Sequence, residues 1–400
     1  MSKNNKLLLQ HAESLYNAKV VNENILGNSA NLIFEIEIEQ IPFILRVSEY
    51  SSQKKSHIDF ELHWVNYLTN KLNNIVKPIK SINNNLYEII QADDKSYILC
   101  LFEKANGKIA DCNNPMEFND KLFFDLGILM GNMHRLTKEY SKNLIKQKFE
   151  WCVNRDDNTF CRDELISDED IQLFERRYYT EIQALPVSKD TYGIIHSDIH
   201  LYNFFVDNDH IKLFDFDDCR FDWYANDIAR TLFFMVQIFG RSKPEKERTE
   251  FAESFLTTYL KGYRQANIID KYWIPKFNLF MKYSMTDGYK FVKNHWRNES
   301  VNPHQEYLDW HKNIIANPEA FDTELPVIEN HPFFDVVEIQ HDMDAQVAAE
   351  LADVSMDDFK ALNPSLKKPV IFAAATQKIL LPWDNAKVFK QNLQELKSGK

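Results

Sequence analysis

A short segment of the chain combines carboxylates and an amide at spacings that suit metal-assisted chemistry. The segment reads HSDIHLYNFFVDNDHIKLFDFDD and spans residues 196–218. Asp198 and Asn203 lie five residues apart, and Asp215 follows Asn203 by twelve residues, after two strand-like runs. If these runs form a hairpin, Asp215 returns beside Asn203, and the two side chains can share a hard cation such as magnesium. Asp198 then remains free to accept a proton from a hydroxyl, an arrangement that suits phosphoryl transfer.

The same residues carry a resemblance to a known enzyme group. His196, Asp198 and Asn203 match the H-x-D-x-x-x-x-N catalytic loop of protein kinases, and Asp215 begins a D-F run like that of D-F-G. The chain from residue 1 to about 320 resembles, more closely, the aminoglycoside phosphotransferase and choline kinase group of small-molecule kinases. In that group the loop usually reads H-G-D-x-H-x-x-N, and here it is HSDIHLYN. The metal motif of the group is usually D-F-D or D-W-D, and here it is DFDD.

The resemblance implies a role for each matching residue. Asp198 is expected to be the catalytic base, and Asn203 and Asp215 are expected to be the magnesium ligands. His196 is expected to brace the loop without reacting. Asp227, in the stretch WYAND, is expected to accept hydrogen bonds from the backbone of the catalytic loop. The implied cofactors are ATP and Mg²⁺.

The other acidic residues of the segment are interpreted differently. Asp207, Asn208 and Asp209, followed by His210, form a D-N-D-H run that favours a solvated turn. Asp218 and Asp222 are expected at the surface or as helix caps. These residues are therefore left out of the candidate site.

A cation upstream is a candidate for binding the nucleotide phosphates. In PFILRVSE the strand places Arg46 where protein kinases have lysine, and the resembling group often has arginine there. Arginine can hold a phosphate through two parallel hydrogen bonds. Glu61 on the following helix is the expected partner of Arg46, with Glu49 and Asp59 as alternatives.

The loop before this strand is expected to cover the phosphates. It reads LGNSANLIFEI and contains only Gly27, where protein kinases use three glycines. Ser29 and Asn31 are expected to offer backbone N–H groups to phosphate in a turn. The stretch CLFEKANG is expected to connect two lobes and to meet the adenine edge through the backbone of Phe102–Lys104.

The hydrophobic pattern predicts an α+β architecture that positions these residues. Three strands between residues 20 and 49, a helix over 54–73 and two further strands indicate a small β-rich lobe. Helices dominate the rest, with the strand pieces of the catalytic segment among them. The prediction is a bilobal protein-kinase-like fold with a nucleotide-binding lobe at 1–104, a catalytic and substrate lobe at 105–322, and a separate tail at 323–400.

The tail follows a linker and has its own pattern. DTELPVIENHP carries two prolines, and FFDVVEI, AQVAAELADV, SMDDFKALNP and KILLPW then predict strand, helix, helix and strand. With VS-x-x-x-x-x-x-LNPSL, this order resembles the LysM-like segment of membrane-bound lytic murein transglycosylase D. The resemblance implies a small α/β appendage that binds glycan or no ligand at all. No lytic activity is expected.

Composition and charge argue against nucleic acid and membrane as binding partners. The chain of 400 residues is 44% hydrophobic and 26% charged, with a formal net charge of -12. A nucleic-acid binder needs a basic face, and none is evident in the sequence. No apolar stretch has the length of a signal peptide core or of a membrane-spanning helix, and cysteines without a CxxC pair fit reduced thiols. We expect a cytoplasmic location and neither nucleic acid nor membrane as partner.

Together these observations predict ATP-dependent transfer of the γ-phosphate to the hydroxyl of a small molecule. Aminoglycosides, aminoalcohols and hydroxy amino acids all remain open as acceptors, and the acidic net charge suits a cationic one. Asp287, Tyr289, His295 and Trp296 could recognise an amine or simply pack in a core. The alternatives are a protein kinase, a catalytically weak or inactive kinase-like scaffold that binds nucleotide, and glycan binding through the tail.

Overall fold

The chain forms two compact units. In this computed structural model they are Met1–Pro326 and Val327–Lys400. No helix in the part of the chain that the structure describes is long and apolar enough to cross a membrane. The structure describes residues 3–21, 24–27, 31–148, 169–240, 243–295, 305, 308–309, 334–366, 368–374 and 378–398.

The first unit begins with an antiparallel sheet. Its strands are β1 Ile25–Gly27, β2 Leu32–Ile38, β3 Ile41–Glu49, β4 Pro78–Ile79, β5 Glu88–Ala92 and β6 Lys95–Glu103. The order is β1-β2-β3-β6-β4, with β5 also paired to β6. Because successive residues of a strand face opposite sides, Phe34 and Ile36 of β2 are both fully buried on one face. The predicted strands are present, although β1 is shorter than predicted.

A helix that the sequence did not predict covers this sheet. It is α1, Lys3–Tyr16. Its Leu8, Leu9 and Ala12 belong to the same apolar core as β2, β3 and β6. The hydroxyl of Tyr16 donates to the carbonyl oxygen of Leu99 over 3.1 Å. The apolar stripe of α1 is short, and it gains its stability by burial against the sheet.

The helix predicted over residues 54–73 is α2, Ser52–Thr69, and it begins at a defined cap. The side chain of Ser51 accepts a hydrogen bond from the N–H of Lys54 over 3.0 Å, which satisfies a donor that the helix cannot use. The helix buries Glu61 to 1% exposure. α2 therefore presents one buried carboxylate toward β3 of the sheet.

Five helices build most of the remainder of the first unit's described residues. They are α3 Asp120–Lys148, α4 Glu169–Gln183, α5 Tyr224–Gly240, α6 Glu245–Arg264 and α7 Lys276–His295. Gly127 and Gly131 lie on one face of α3, and this pattern predicts close packing. A methyl group at Gly127 would overlap the carbonyl oxygen of Tyr259, and one at Gly131 would overlap that of Tyr263. The backbones of α3 and α6 therefore touch, which only glycine permits.

Two small antiparallel sheets frame the catalytic segment. Their strands are β7 Tyr192–Ile195, β8 Phe204–Asp207, β9 His210–Leu213 and β10 Arg220–Trp223. β7 pairs with β10, and β8 pairs with β9. β10 was not predicted, because its four residues are directly followed by α5. The loop after β7 and the loop after β9 are thereby held at fixed positions.

The second unit has a core of its own. Its elements are β11 Phe334–Glu338, β12 Met343–Asp344, α8 Ala345–Leu351, α9 Met356–Leu362, β13 Val370–Ile371, β14 Lys378–Pro382 and α10 Trp383–Ser398. β11 pairs with β14, and β12 with β13. In the LNPSL stretch, Asn363 exchanges two 2.8 Å hydrogen bonds with the backbone of Leu380, which fixes β14 to the end of α9. The predicted strand–helix–helix–strand order is present, α10 was not predicted, and the predicted linker lies outside the described residues.

Candidate active site

The hairpin predicted between Asn203 and Asp215 is present. β8 and β9 pair in antiparallel register, and the N–H of Phe214 donates to the carbonyl oxygen of Asn203 over 3.0 Å. Asp215 is the next residue, so it lies beside Asn203 at the open end of the hairpin. Asp215 has a φ of 63°, a left-handed conformation that turns the chain sharply after β9.

Asp198 lies beside Asn203 with one carboxylate oxygen engaged. The side-chain nitrogen of Asn203 donates to Oδ2 of Asp198 over 2.9 Å and to its carbonyl oxygen over 2.8 Å. Nε2 of His200 lies 3.4 Å from the same Oδ2. Oδ1 of Asp198 takes no part in these contacts and can receive a hydroxyl, and the amide oxygen of Asn203 can likewise ligate a cation. Burial favours the neutral acid, but His200 and Arg230 hold the pKa of Asp198 below its ordinary value.

His196 connects the two loops of the site. Its Nδ1 accepts from the N–H of Asp198 over 3.3 Å, and its Nε2 lies 3.2 Å from the carbonyl oxygen of Phe214. Because an N–H only donates and a carbonyl only accepts, the proton of the ring must be on Nε2. Burial lowers the pKa of His196, so the ring is neutral at pH 7. This arrangement supports a bracing role.

Asp227 holds the backbone of the catalytic loop through hydrogen bonds from two of its N–H groups. Its Oδ1 accepts from the N–H of Ser197 over 2.7 Å, and its Oδ2 accepts from the N–H of His196 over 3.1 Å and from Nε2 of His134 over 3.0 Å. Burial would raise the pKa of Asp227, but the hydrogen bond from His134 and the other donors hold it below its ordinary value. Ser197 has a φ of 73°, at the position where the resembling group usually has glycine. The carboxylate of Asp227 thus stabilises a backbone conformation that serine adopts at a cost.

A second residue of α5 holds the same loop and was not predicted. Nε of Arg230 donates to the carbonyl oxygen of Ser197 over 2.6 Å, and its Nη1 donates to Oδ2 of Asp287 over 2.9 Å. His134 was missed as well. A signal for Arg230 was present, because it is a lone cation in the largely apolar stretch IARTLFFMVQIF.

The four residues named as candidates for amine recognition separate in the structure. Asp287 lies next to Arg230 with its side chain 27% exposed. Tyr289 is 2% exposed and packs in the core. The side chains of His295 and Trp296 lie outside the described part of the chain. Asp287 is therefore the candidate that the structure places beside the catalytic loop.

The carboxylates at the hairpin fit a divalent cation. The side chain of Asp215 reaches solvent, but the surrounding protein reduces the hydration of its carboxylate. This desolvation, together with the charge of Asp217, raises the pKa of Asp215 to about 8. Such a shift marks a carboxylate that lacks sufficient positive charge around it. Among the described residues no three side chains of His, Cys, Asp or Glu converge on a common point as a metal cage. Magnesium does not require one, because it is usually bound by one or two carboxylates together with substrate phosphates.

Arg46 and Glu61 meet as a buried ion pair, as expected from the sequence. Nη1 of Arg46 lies 2.8 Å from Oε1 of Glu61, and Nη2 lies 2.6 Å from Oε2. Burial lowers the pKa of Arg46, but Glu61 more than offsets this and raises the pKa above its ordinary value. Nε of Arg46 is buried and has no hydrogen-bond partner among the described residues. The N–H groups of the guanidinium that Glu61 does not take are donors of the kind that phosphate oxygens accept.

Asn31 makes side-chain contacts that the sequence did not predict. Its side-chain nitrogen donates to Oδ2 of Asp217 over 3.1 Å, and its Oδ1 accepts from the hydroxyl of Ser48 over 2.6 Å. Asn31 therefore links β3 to the end of the DFDD motif through its side chain. Ser29 lies outside the described residues. The roles of both residues toward phosphate stay predictions.

Asp222 corrects the interpretation of the neighbouring acids. Asp207 and Asp209 are exposed, in keeping with a solvated turn. Asp222, expected at the surface or as a cap, is fully buried, and its Oδ2 accepts from Asn226 over 2.7 Å and from Nε of Arg220 over 3.2 Å. The surface interpretation was wrong because β10 had not been recognised, and this strand carries Asp222 into the core.

The comparison with known families decides the identity of the first unit. Residues 23–269 match the phosphotransferase enzyme family, and this range contains every candidate catalytic, metal-ligating and nucleotide-side residue. The chain belongs to the phosphotransferase enzyme family. As a phosphotransferase of this family, it is an ATP-dependent enzyme that acts on hydroxyl groups. The nucleotide is accompanied by a divalent metal ion.

Individual relatives of this phosphotransferase are small-molecule kinases. Amicoumacin kinase from Bacillus subtilis (strain 168) is 28% identical over 271 residues, which are 67% of this chain and 78% of the relative. A solved amicoumacin kinase in complex with AMP-PNP, Ca²⁺ and Ami is 25% identical with a TM-score of 0.68, over 80% of this chain and 95% of the other. A microcompartment-associated aminopropanol kinase is 18% identical with a TM-score of 0.59, over 80% of this chain and 100% of the other. These structures confirm the predicted α+β kinase-like fold.

The second unit has a separate relationship. Residues 333–398 match the LysM-like domain of the lytic transglycosylase MltD. The resemblance inferred from LNPSL is therefore confirmed. The phosphotransferase carries this domain after its kinase-like unit.

Proposed function

We propose that this phosphotransferase moves the γ-phosphate of ATP, with Mg²⁺, to a hydroxyl of a small molecule that carries an amine. The observation that supports this most directly is the arrangement of Asp198. Its carboxylate lies beside Asn203 and next to the hairpin that presents Asp215, and it keeps Oδ1 available. The first acceptor to test is amicoumacin, because a relative of 28% identity is an amicoumacin kinase.

Asp198 orients the acceptor and receives its proton. The carboxylate is ionised at neutral pH, because its pKa lies below the ordinary value. Oδ1 accepts the hydrogen bond of the acceptor hydroxyl, while Oδ2 is held by Asn203 and His200. Fixing the hydroxyl in line with the γ-phosphate removes much of the entropic cost of the reaction. As the bond between the acceptor oxygen and the γ-phosphorus forms, the proton passes to Oδ1 of Asp198, the bond from the γ-phosphorus to the β–γ bridging oxygen breaks, and ADP leaves.

The nucleotide side is proposed to be built by four residues. Asn203 and Asp215 would hold Mg²⁺ through their side-chain oxygens. The ion, when bound, neutralises charge on the phosphate oxygens. Arg46 keeps its guanidinium fixed through Glu61 and donates its remaining N–H groups to phosphate oxygens, in a position of low hydration where such bonds are strong.

The acceptor side is proposed to favour a cationic group. Asp287 lies beside the catalytic loop and is partly exposed, so one of its oxygens can meet an ammonium group while the other stays with Arg230. The formal net charge of -12 adds a general attraction for cations. Two of the relatives act, by their names, on amicoumacin and on aminopropanol.

The test is ATP consumption with a panel of acceptors. Amicoumacin, aminopropanol, ethanolamine, aminoglycosides and hydroxy amino acids are each supplied with Mg²⁺ and ATP, and product phosphorylation is followed by mass spectrometry. Asp198→Asn should lower kcat by roughly 10²–10⁴-fold, the usual contribution of a general base. Asp207→Asn, in the exposed turn of the same hairpin, is the matched control and should leave kcat unchanged. Equal activity of Asp198→Asn and the wild-type protein would contradict the assignment.

The division of labour along the chain is part of the proposal. Residues 1–104 would bind the nucleotide, and residues 105–322 would supply the catalytic loop and the acceptor site. For the tail at 323–400, binding of a glycan or of no ligand stays a prediction. A pull-down of murein with the full chain and with a chain ending at residue 326 would test it, and equal capture by both would contradict glycan binding by the tail.

A further inference from the structure

A cavity of about 470 Å³ lies in the helical part of the first unit. It is formed by the second half of α3, the turn before β7, the first residues of α5 and the segment that follows α6. None of its lining residues is among the proposed catalytic, metal-ligating or nucleotide-side residues. Its volume is within the range of small-molecule sites.

The lining combines apolar surface with one cation. Trp273, Ile269 and the face of Tyr224 supply apolar area, and Lys138 supplies the cation. The ammonium of Lys138 donates to Oδ1 of Asn267 over 2.9 Å and lies 5.4 Å from the ring centroid of Tyr224. Both of these direct contacts are neutral. Burial lowers the pKa of Lys138, and the negative charge of Asp190 acts in the opposite direction. A half-buried ammonium that donates to a neutral amide can still take an anionic ligand as a partner.

The remaining lining selects among anions. Asp190 and Asp270 also border the cavity, and two carboxylates disfavour a doubly charged phosphate. A single carboxylate attached to an apolar body satisfies both Lys138 and the aromatic lining. If the ligand also carries an amine, Asp190 can meet it.

The cavity is connected to the catalytic loop by consecutive hydrogen bonds. Lys138 donates to Asn267, and Asn267 Nδ2 donates to the hydroxyl of Tyr263 over 2.8 Å. The hydroxyl of Tyr263 lies 2.9 Å from Nδ1 of His134, and Nε2 of His134 lies 3.0 Å from Oδ2 of Asp227. Because the carboxylate can only accept, His134 carries its proton on Nε2, and Tyr263 must donate to Nδ1. Every donor therefore points in one direction, from the cavity to Asp227.

Such a chain couples charge in the cavity to the loop. Donors and acceptors in a row polarise one another, so a cation at the start strengthens the final bond to Asp227. Asp227 in turn holds the backbone N–H groups of His196 and Ser197. A carboxylate that neutralises Lys138 weakens this polarisation and loosens the loop.

We propose that this cavity is an inhibitory effector site for a small organic carboxylate with an apolar body, sensed by Lys138 and transmitted through Asn267, Tyr263 and His134 to Asp227. The binding step does not depend on the identity of the phosphoryl acceptor. The effect on the loop can also be measured without any acceptor.

The probe is phenylacetate, with phenylacetamide as its neutral isostere, and binding is measured by titration calorimetry on the full chain. Phenylacetate should bind the wild-type protein, and phenylacetamide should bind at least roughly tenfold more weakly, as expected for loss of a charge-assisted hydrogen bond. Lys138→Met should lose affinity for phenylacetate by a similar factor. Lys261→Met removes an exposed lysine of α6 outside the cavity and should bind phenylacetate like the wild-type protein.

Coupling is measured by hydrogen exchange of peptides that contain residues 196–198. Phenylacetate should accelerate exchange of these amides roughly fivefold or more, a common size for coupling between sites. Tyr263→Phe interrupts the chain, so it should bind phenylacetate and show no acceleration. Equal affinity for the acid and the amide, or unchanged affinity in Lys138→Met, would overturn the site. Binding with unchanged or slower exchange in the wild-type protein would overturn the inhibitory coupling.

Discussion

Asp227 offers a sharp test of how the catalytic loop is held. The variant Asp227→Asn keeps the shape of the side chain but replaces one acceptor oxygen with a donor. With the amide nitrogen at the Oδ1 position, the variant loses the bond to the N–H of Ser197. With the nitrogen at the Oδ2 position, it loses the bonds to His196 and His134. The first orientation is therefore preferred.

The cost of that orientation follows from the burial of the site. A buried N–H of Ser197 loses a charged acceptor and faces another donor, which should lower the free energy of unfolding by about 2–4 kcal/mol. Ser197 is also in a left-handed conformation, which is unfavourable for serine. Loss of its hydrogen bond to Asp227 should therefore allow the loop to change conformation. A displacement of the neighbouring Asp198 by about 1 Å should lower kcat roughly 100-fold.

The assay combines urea unfolding with kcat per folded molecule at saturating ATP. Asp222→Asn is the matched control, because Asp222 is equally buried and also accepts several hydrogen bonds, yet none of them comes from the catalytic loop. The control should lose stability and keep its kcat. If Asp227→Asn also kept its kcat while losing similar stability, the view that this carboxylate positions the loop would be wrong.

Three further predictions address packing, pH and the nucleotide side. Gly127→Ala should lower the free energy of unfolding by about 3 kcal/mol, since its methyl group meets a backbone carbonyl, whereas the methyl group of Gly240→Ala meets only the movable side chain of an arginine and should cost much less. Thermal unfolding of both variants checks this prediction, and equal melting temperatures would contradict it. Burial lowers the pKa of His134, so the unfolded chain takes up the proton first as the pH falls. The free energy of unfolding should therefore decrease below about pH 6.5, by up to about 1.4 kcal/mol per pH unit. Urea unfolding between pH 5 and 8 should show a weaker dependence of this free energy on pH for His134→Gln than for the wild-type protein. Arg46→Met leaves Glu61 buried without its partner and should lower the free energy of unfolding by about 3–5 kcal/mol. The double variant with Glu61→Met should regain stability without regaining ATP binding, and recovery of ATP binding in nucleotide titrations would argue against the phosphate role of Arg46.

Much of the site could be predicted from local sequence because its chemistry is local. Asn203 and Asp215 flank one hairpin, and Asp198 lies five residues before Asn203. Two alternating apolar runs therefore suffice to predict that the three residues meet. The partner of Arg46 was predictable for a related reason. β3 and α2 are consecutive elements, and consecutive elements usually pack together.

The residues that were missed or misplaced depend on distant contacts. α1 has a short apolar stripe that means little until the sheet is present to cover it. Asp222 resembled a surface acid because a four-residue strand leaves almost no periodic signal. Arg230 and His134 act on the catalytic loop from two different helices, so nothing in the local pattern around either residue points to the other.

The sequence by itself predicted the type of reaction, because the groups proposed to accept the proton and to hold the metal ion are written into two short motifs. The tertiary structure decided what holds those groups in place. His134, Asp227 and Arg230 converge on the loop only after two helices, α3 and α5, have packed, and their hydrogen bonds are strong because that packing excludes water. The cavity beside Lys138 is likewise a property of the packed helices, since a space between elements has no counterpart in the linear chain.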